Sequence, residues 1–214
     1  MMLLISVLAP MLGAAGLFIW RPKNRRVCHV WTFVWTLLTS LCVLGCLLNT
    51  HTQSITLLKL TTNLTLSFRL DGLGRVFSGM VAVLWPLATL YAFEYMEHEG
   101  GDNHFFGFYM LSYSMTLAIA FAEDMMTMYV FYELLSLSTL FLVMHGMKAK
   151  NVHAGRKYMY YMLGGASMAF LGFGAKAAVW PLHSWLPTAG VAPTPVTALL
   201  HAVAVVKAGV FAVI

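Results

Sequence analysis

The sequence predicts an all-α, polytopic transmembrane helix bundle, with a kinked or broken helix near Pro181 and a short outer β-strand or hairpin at about residues 55–70. Three observations predict it. The 214 residues are 60% apolar and only 10% charged, less than half the charged share of an ordinary soluble domain. The charges fall in short clusters, and the stretches between them reach the eighteen or more residues needed to cross ~30 Å of hydrocarbon. The three cysteines, Cys28, Cys42 and Cys46, share one apolar stretch without CxxC spacing, which gives neither a disulfide framework nor a metal site. A soluble enzyme, a disordered chain and a secreted disulfide scaffold are excluded.

The uncharged stretches place helices at Met1–Trp20, Val27–Thr50, Val76–Phe93, Phe105–Ala122 and Met125–Met147, followed by an apolar tract from Tyr158 to Ile214 that is too long for one span. Met1–Trp20 lacks a basic region before its apolar core, so it reads as a retained helix and not as a signal peptide. Between the second and third spans Leu64, Leu66, Phe68 and Leu70 alternate with Thr65, Ser67 and Arg69, the period of a half-buried strand.

Lys and Arg near the span ends set orientation. Arg21, Lys23, Arg25 and Arg26 fall in the first loop and Lys148, Lys150, Arg156 and Lys157 in the fifth, against Lys59, Arg69 and Arg75 in the second and fourth. The expected topology is a multi-pass protein of the prokaryotic plasma (inner) membrane with its N-terminus outside and these two basic loops in the cytoplasm.

Three ionisable residues remain inside spans: Glu133, Lys176 and Lys207. A charge at mid-membrane costs roughly 2.5–3.5 kcal/mol on insertion scales, so each should face a partner or a wet cavity. A structural ion pair and a role in moving ions both satisfy that requirement. Pro181 and Pro187 cannot donate to the carbonyls of Ala177 and His183, so the helix there must bend or break. Broken backbone at membrane depth is tolerated where it is buried in protein or lines water. Lys176 and His183 are seven residues apart and share a helical face if the kink is modest. Pro193-Thr194-Pro195 starts the next helix, with Thr194 as cap and Pro195 at the first helical position. That helix carries Thr197 and His201 on one face, with Lys207 about 120° and ~9 Å further on. Water between them would make a relay. His183 and Thr197 are its possible further stations.

The stretch Phe173–Phe211, FGAKAAVWPLHSWLPTAGVAPTPVTALLHAVAVVKAGVF, resembles the seventh and eighth helices of the antiporter-like subunits shared by respiratory complex I, multisubunit Mrp cation/proton antiporters and energy-converting membrane-bound hydrogenases. FRLDGLGRVF at Phe68–Phe77 is similar to the start of that family's third helix, FYELLSLSTL at Phe131–Leu140 to its fifth, and AGRKYMYYMLGG at Ala154–Gly165 to the start of its sixth. The resemblance implies that Glu133 pairs with Lys176, that His201 and Lys207 carry the ion onward, and that the subunit holds no redox cofactor or metal itself. It implies partners that are other membrane subunits, the bilayer, and protons or sodium ions, with no nucleic acid. The function implied is proton or sodium translocation within an NADH- or ferredoxin-dependent oxidoreductase or hydrogenase complex. An Mrp-type antiporter without a redox partner and a non-pumping membrane scaffold are the alternatives.

The chain also departs from that pattern. Between Arg156 and His183 there is room for about one span where the family has two, so Leu171–Gly174 reads as a join with residues absent. Residues 1–214 thus read as a partial domain, the N-terminal inverted-repeat half, with the second half absent.

Overall fold

The fold was obtained as a computed structural model and is described for residues 2–48, 54–61, 64–97, 100–146 and 149–166. Six helices and one hairpin follow in order: α1 (Met2–Trp20), α2 (Arg25–Leu48), β1 (Ile55–Thr61), β2 (Leu64–Phe68), α3 (Gly72–Met96), α4 (Asp102–Ala120), α5 (Met125–Val143) and α6 (Ala149–Ala166). The strands pair antiparallel, with Ile55 opposite Phe68 and Lys59 opposite Thr65.

α2 is turned with its large apolar residues outward. On α2 the buried positions are Cys28, Thr32, Thr36, Thr39, Ser40, Val43 and Cys46, while Val30, Val34, Leu41 and Leu48 are exposed. In water this arrangement would be unstable. In a bilayer it is the expected one, because lipid is as apolar as Leu and helices associate through small and hydroxyl-bearing residues. The buried hydroxyls are satisfied within their own helix: Thr32 donates to Cys28 O at 2.9 Å and Thr36 to Thr32 O at 2.9 Å. Among the described residues, α1, α2 and α3 are long and apolar enough to cross a membrane, and α5 has a shorter apolar stretch, Thr127–Val143. The protein is an integral membrane protein.

α4 is the central helix. From Ser112 to Ala120 every residue is buried, as expected of a helix apolar all round, and it packs chiefly against α1 and α5. Two close approaches make this possible. A Cβ on Gly13 of α1 would run into Met110 of α4, and a Cβ on Gly74 would collide with the Ala120 carbonyl. The second glycine lets the first turn of α3, capped by Asp71 Oδ1 accepting from Gly74 N at 2.6 Å, lie against the end of α4.

Several boundaries differ from the sequence reading: α3 runs Gly72–Met96 where Val76–Phe93 was expected, and α4 starts at Asp102 and not at Phe105. α5 ends at Val143, not at Met147, and Gly146 follows with a φ of 76°, a left-handed turn that stops a helix. α6 already begins at Ala149, so Lys150, Arg156 and Lys157 sit on its first turns and not in a loop. Charge was the loop signal there. Long basic side chains on an interfacial helix turn reach water along their own stems and need no loop.

Candidate functional site at Glu133

Of the residues the sequence singles out, Glu133 is the one within the described residues. Lys176, Pro181, His183, Pro187, Thr197, His201 and Lys207, and the join at Leu171–Gly174, lie outside them.

Glu133 is half-buried on α5. Because α5 is shorter than expected, Glu133 stands one residue from the middle of Met125–Val143, about 1.5 Å along the axis, and its Oε1 is buried. One side of it is built from buried Tyr132, Ser136 and Thr139; on the other, Leu134, Leu137 and Phe141 are exposed. The described helices therefore cover one flank of the carboxyl group.

Two devices hold α5 in place. At its start, Asp124 Oδ1 accepts from Thr127 N at 2.7 Å, a side-chain cap, while Asp124 Oδ2 accepts from Ser67 Oγ at 3.0 Å. Ser67 N donates to Thr127 Oγ1 at 3.0 Å, and Glu123 N donates to Ser67 O at 3.0 Å. The end of β2 is thus laced to the first turn of α5, with the Phe68 and Phe131 rings 5.3 Å apart beneath it. Along its length, α5 is joined to α4 by Ser112 Oγ donating to Ser138 Oγ at 3.1 Å. It is joined to α6 by the hydroxyls of Thr139 and Tyr158 at 2.7 Å. A related pair, Ser40 and Tyr113 at 2.9 Å, joins α2 to α4.

These interhelical hydroxyl pairs escaped the sequence reading, as did the Asp124 cap. The cap was detectable as an Asp three residues before Thr127; the pairs had no signal beyond hydroxyls on an apolar face. His145 at the end of α5 has a structural place, sharing a hydrogen bond of 2.9 Å with the Gly100 carbonyl. Among the described residues no group of His, Cys, Asp and Glu is placed to hold a metal ion.

Residues 160–214 match the family described as "NADH:quinone oxidoreductase/Mrp antiporter, TM", and residues 59–106 match "NADH-Ubiquinone oxidoreductase (complex I), chain 5 N-terminus". The first segment contains Lys176, His201 and Lys207; the second contains the Asp71–Gly74 turn. Over these two segments the chain is similar to antiporter-like membrane subunits. Curated relatives include a putative antiporter subunit mnhA2 of Staphylococcus saprophyticus, 28% identical over 190 aligned positions that take in 70% of the chain and 24% of the relative. The chloroplastic NAD(P)H-quinone oxidoreductase subunit 5 of Amborella trichopoda is 24% identical over 268 positions, 98% of the chain and 36% of the relative. The chain thus spans about a quarter to a third of the length of these relatives. The fold is shared with chains in two solved membrane complexes. The membrane-bound sulfane sulfur reductase, an archaeal respiratory complex, gives a TM-score of 0.85 at 18% identity over 98% of the chain and 52% of its counterpart. The Mrp complex from Dietzia gives 0.80 at 20% identity over 99% of the chain and 28% of its counterpart.

Proposed function

We propose that the chain is part of a proton- or sodium-translocating subunit in a redox-driven membrane complex, with Glu133, Lys176, His201 and Lys207 as its intramembrane relay. The observation that carries this reading is the carboxyl group of Glu133 at the centre of α5, in a run of apolar and hydroxyl-bearing residues from Tyr132 to Phe141. Such a charge is expensive in hydrocarbon and in membrane proteins marks ion pathways. The family match over 160–214 supplies the second half of the argument, since it spans both lysines.

In this mechanism the ionised Glu133 favours the ammonium form of Lys176. Moving the carboxylate away favours proton release toward His201 and Lys207, and its return favours reloading. A single charge moved against 100 mV costs about 2.3 kcal/mol, within what one ion pair gained or lost in a protein interior supplies. His183 and Thr197 extend the relay, and Pro181 and Pro187 open the backbone to water beside Lys176.

The staphylococcal relatives and the Dietzia complex favour a second reading, an Mrp-type cation/proton antiporter without a redox partner. Iron–sulfur or hydrogenase subunits co-purifying with the protein decide for the redox complex, and their absence from an active preparation decides for the antiporter. The ion-moving role common to both is tested by Glu133→Gln, which keeps shape and removes charge. Flux into vesicles should fall far more than assembly does. A variant that transports normally would reduce Glu133 to packing.

A further inference from the structure

The Arg21–Arg26 segment and the outer face of α2 form a site unrelated to Glu133. A groove of about 550 Å³ runs along α2 beside the end of α1. Trp20, Val30, Trp31, Val34, Trp35 and Leu38 line it, and Arg26 closes one end. We propose that this groove binds an anionic phospholipid, with the phosphate on Arg26 and an acyl chain along α2.

The groove has a fixed floor. Trp31 donates its indole N–H to the Gly13 carbonyl at 3.0 Å, and its ring meets Trp20 and Trp35 at centroid distances of 5.7 and 5.8 Å. These rings turn apolar surface outward at a place where Trp is favoured, the membrane–water boundary. From Val27 to Leu38 the groove rises about 16 Å, close to the ~15 Å depth of one leaflet.

The charge at its mouth selects the headgroup. Arg25 is committed to Asp102 Oδ2 at 3.0 Å and to the Glu97 carbonyl at 2.8 Å, and Arg21 donates its Nε–H to the Phe18 carbonyl at 3.2 Å. Arg26 and Lys23 are exposed, and among the described residues neither is paired with a carboxylate. The first turn of α2 holds no acidic residue, so Arg25 and Arg26 add to the positive end of the helix dipole, where a negative charge belongs. A phosphate placed there offsets both. A neighbouring subunit's apolar helix would fill the groove but leave Arg26 uncompensated.

The probe is the intact chain in phosphatidylcholine nanodiscs containing a minor fraction of lipid brominated on its acyl chains, either phosphatidylglycerol or phosphatidylcholine, with tryptophan emission as readout. Bromine quenches indole on contact. The brominated anionic lipid should be enriched at the groove roughly fivefold over the neutral one and quench correspondingly more. Arg26→Gln should abolish that difference while leaving the quenching by brominated phosphatidylcholine unchanged, and Arg156→Gln should leave the difference intact. Equal quenching by the two lipids overturns the proposal. So does loss of the difference on adding inorganic phosphate but not chloride of equal ionic strength, which would make the site one for free phosphate. Protection from both lipids by a co-purified subunit overturns it in favour of a protein interface.

Discussion

The hydroxyls of Thr139 on α5 and Tyr158 on α6 meet at 2.7 Å with both residues buried. Thr139 lies six residues from Glu133, about 9 Å along the axis, on the flank of α5 that the described helices cover. Thr139 also donates within its own helix, to Leu135 O at 2.8 Å or Ser136 O at 3.1 Å. Removing the phenol therefore leaves no hydroxyl stranded.

It follows that Tyr158→Phe should cost only the ~0.5–1.5 kcal/mol of one net hydrogen bond. Thermal unfolding in detergent should show a small downward shift. Tyr158→Ala, which also empties a buried ring site, should cost about 3–5 kcal/mol. Equal losses in the two variants would mean that the hydroxyl pair, not the ring, holds α6.

At the other end of α5, Asp124 serves two elements at once, capping the helix and accepting from Ser67 of β2. Asp124→Ala should lose the cap, about 1 kcal/mol, together with the tie to the hairpin, a further ~1 kcal/mol. Asp124→Asn should retain the cap, since an amide oxygen caps nearly as well, and keep the hairpin tie only with its direction reversed, the amide Nδ2 donating to Ser67 Oγ. Hydrogen exchange reads this locally. Amides of the first turn of α5 and of Ser67 should lose protection in Asp124→Ala together; loss at Thr127 alone would show that cap and hairpin are independent.

Gly74 has no room for a side chain, because its Cβ would press on the Ala120 backbone. Backbone cannot step aside as a flexible side chain does, so Gly74→Ala should destabilise by about 1–3 kcal/mol, as overpacking does. Gly72, two positions earlier, faces open space, and Gly72→Ala should leave the melting temperature nearly unchanged. A similar loss in both variants would rule out the Ala120 clash as the cause, because Ala is the better helix former and propensity alone would stabilise both.

The helices were legible because lipid imposes long uncharged stretches, and Glu133 stood out because a carboxylate is costly there. Helix ends were less legible. Lys150, Arg156 and Lys157 looked like loop residues although the backbone through them is helical, and Met144–Gly146 looked like helix because only a left-handed glycine ends it. Which helix each hydroxyl would meet was not legible at all. Ser138, Thr139 and Tyr158 are ordinary residues in a sequence, and their pairing depends on how α4, α5 and α6 cross.

The alignment with the Amborella subunit runs to 268 positions although the chain has 214 residues, so that relative carries residues this chain lacks. α6 already takes 18 residues, about 27 Å of rise, which leaves little chain before the helix expected around Lys176. We therefore place the missing residues at Leu171–Gly174. Sequencing the transcript across this segment should reveal the absent end of one helix, a loop and the start of the next. An uninterrupted reading identical to the chain would return the extra residues to other loops of the relative.

Lys176 is the sharpest test of the relay, because it stands beside Pro181 and is the expected partner of Glu133. The mechanism needs an amine that can lose its proton, so charge and titration must be separated. Lys176→Met removes both, leaves the Glu133 carboxylate without its expected cation, and should abolish transport while weakening the fold by the roughly 3–5 kcal/mol typical of breaking a buried pair. Lys176→Arg keeps the charge but stays protonated at any accessible pH. A structural pair accepts that exchange with modest loss, and a proton carrier does not. Flux in vesicles, normalised to assembled protein, should therefore fall to background in both variants although only the methionine variant melts early. Near-normal flux in Lys176→Arg would remove Lys176 from the proton path and leave it the electrostatic partner of Glu133.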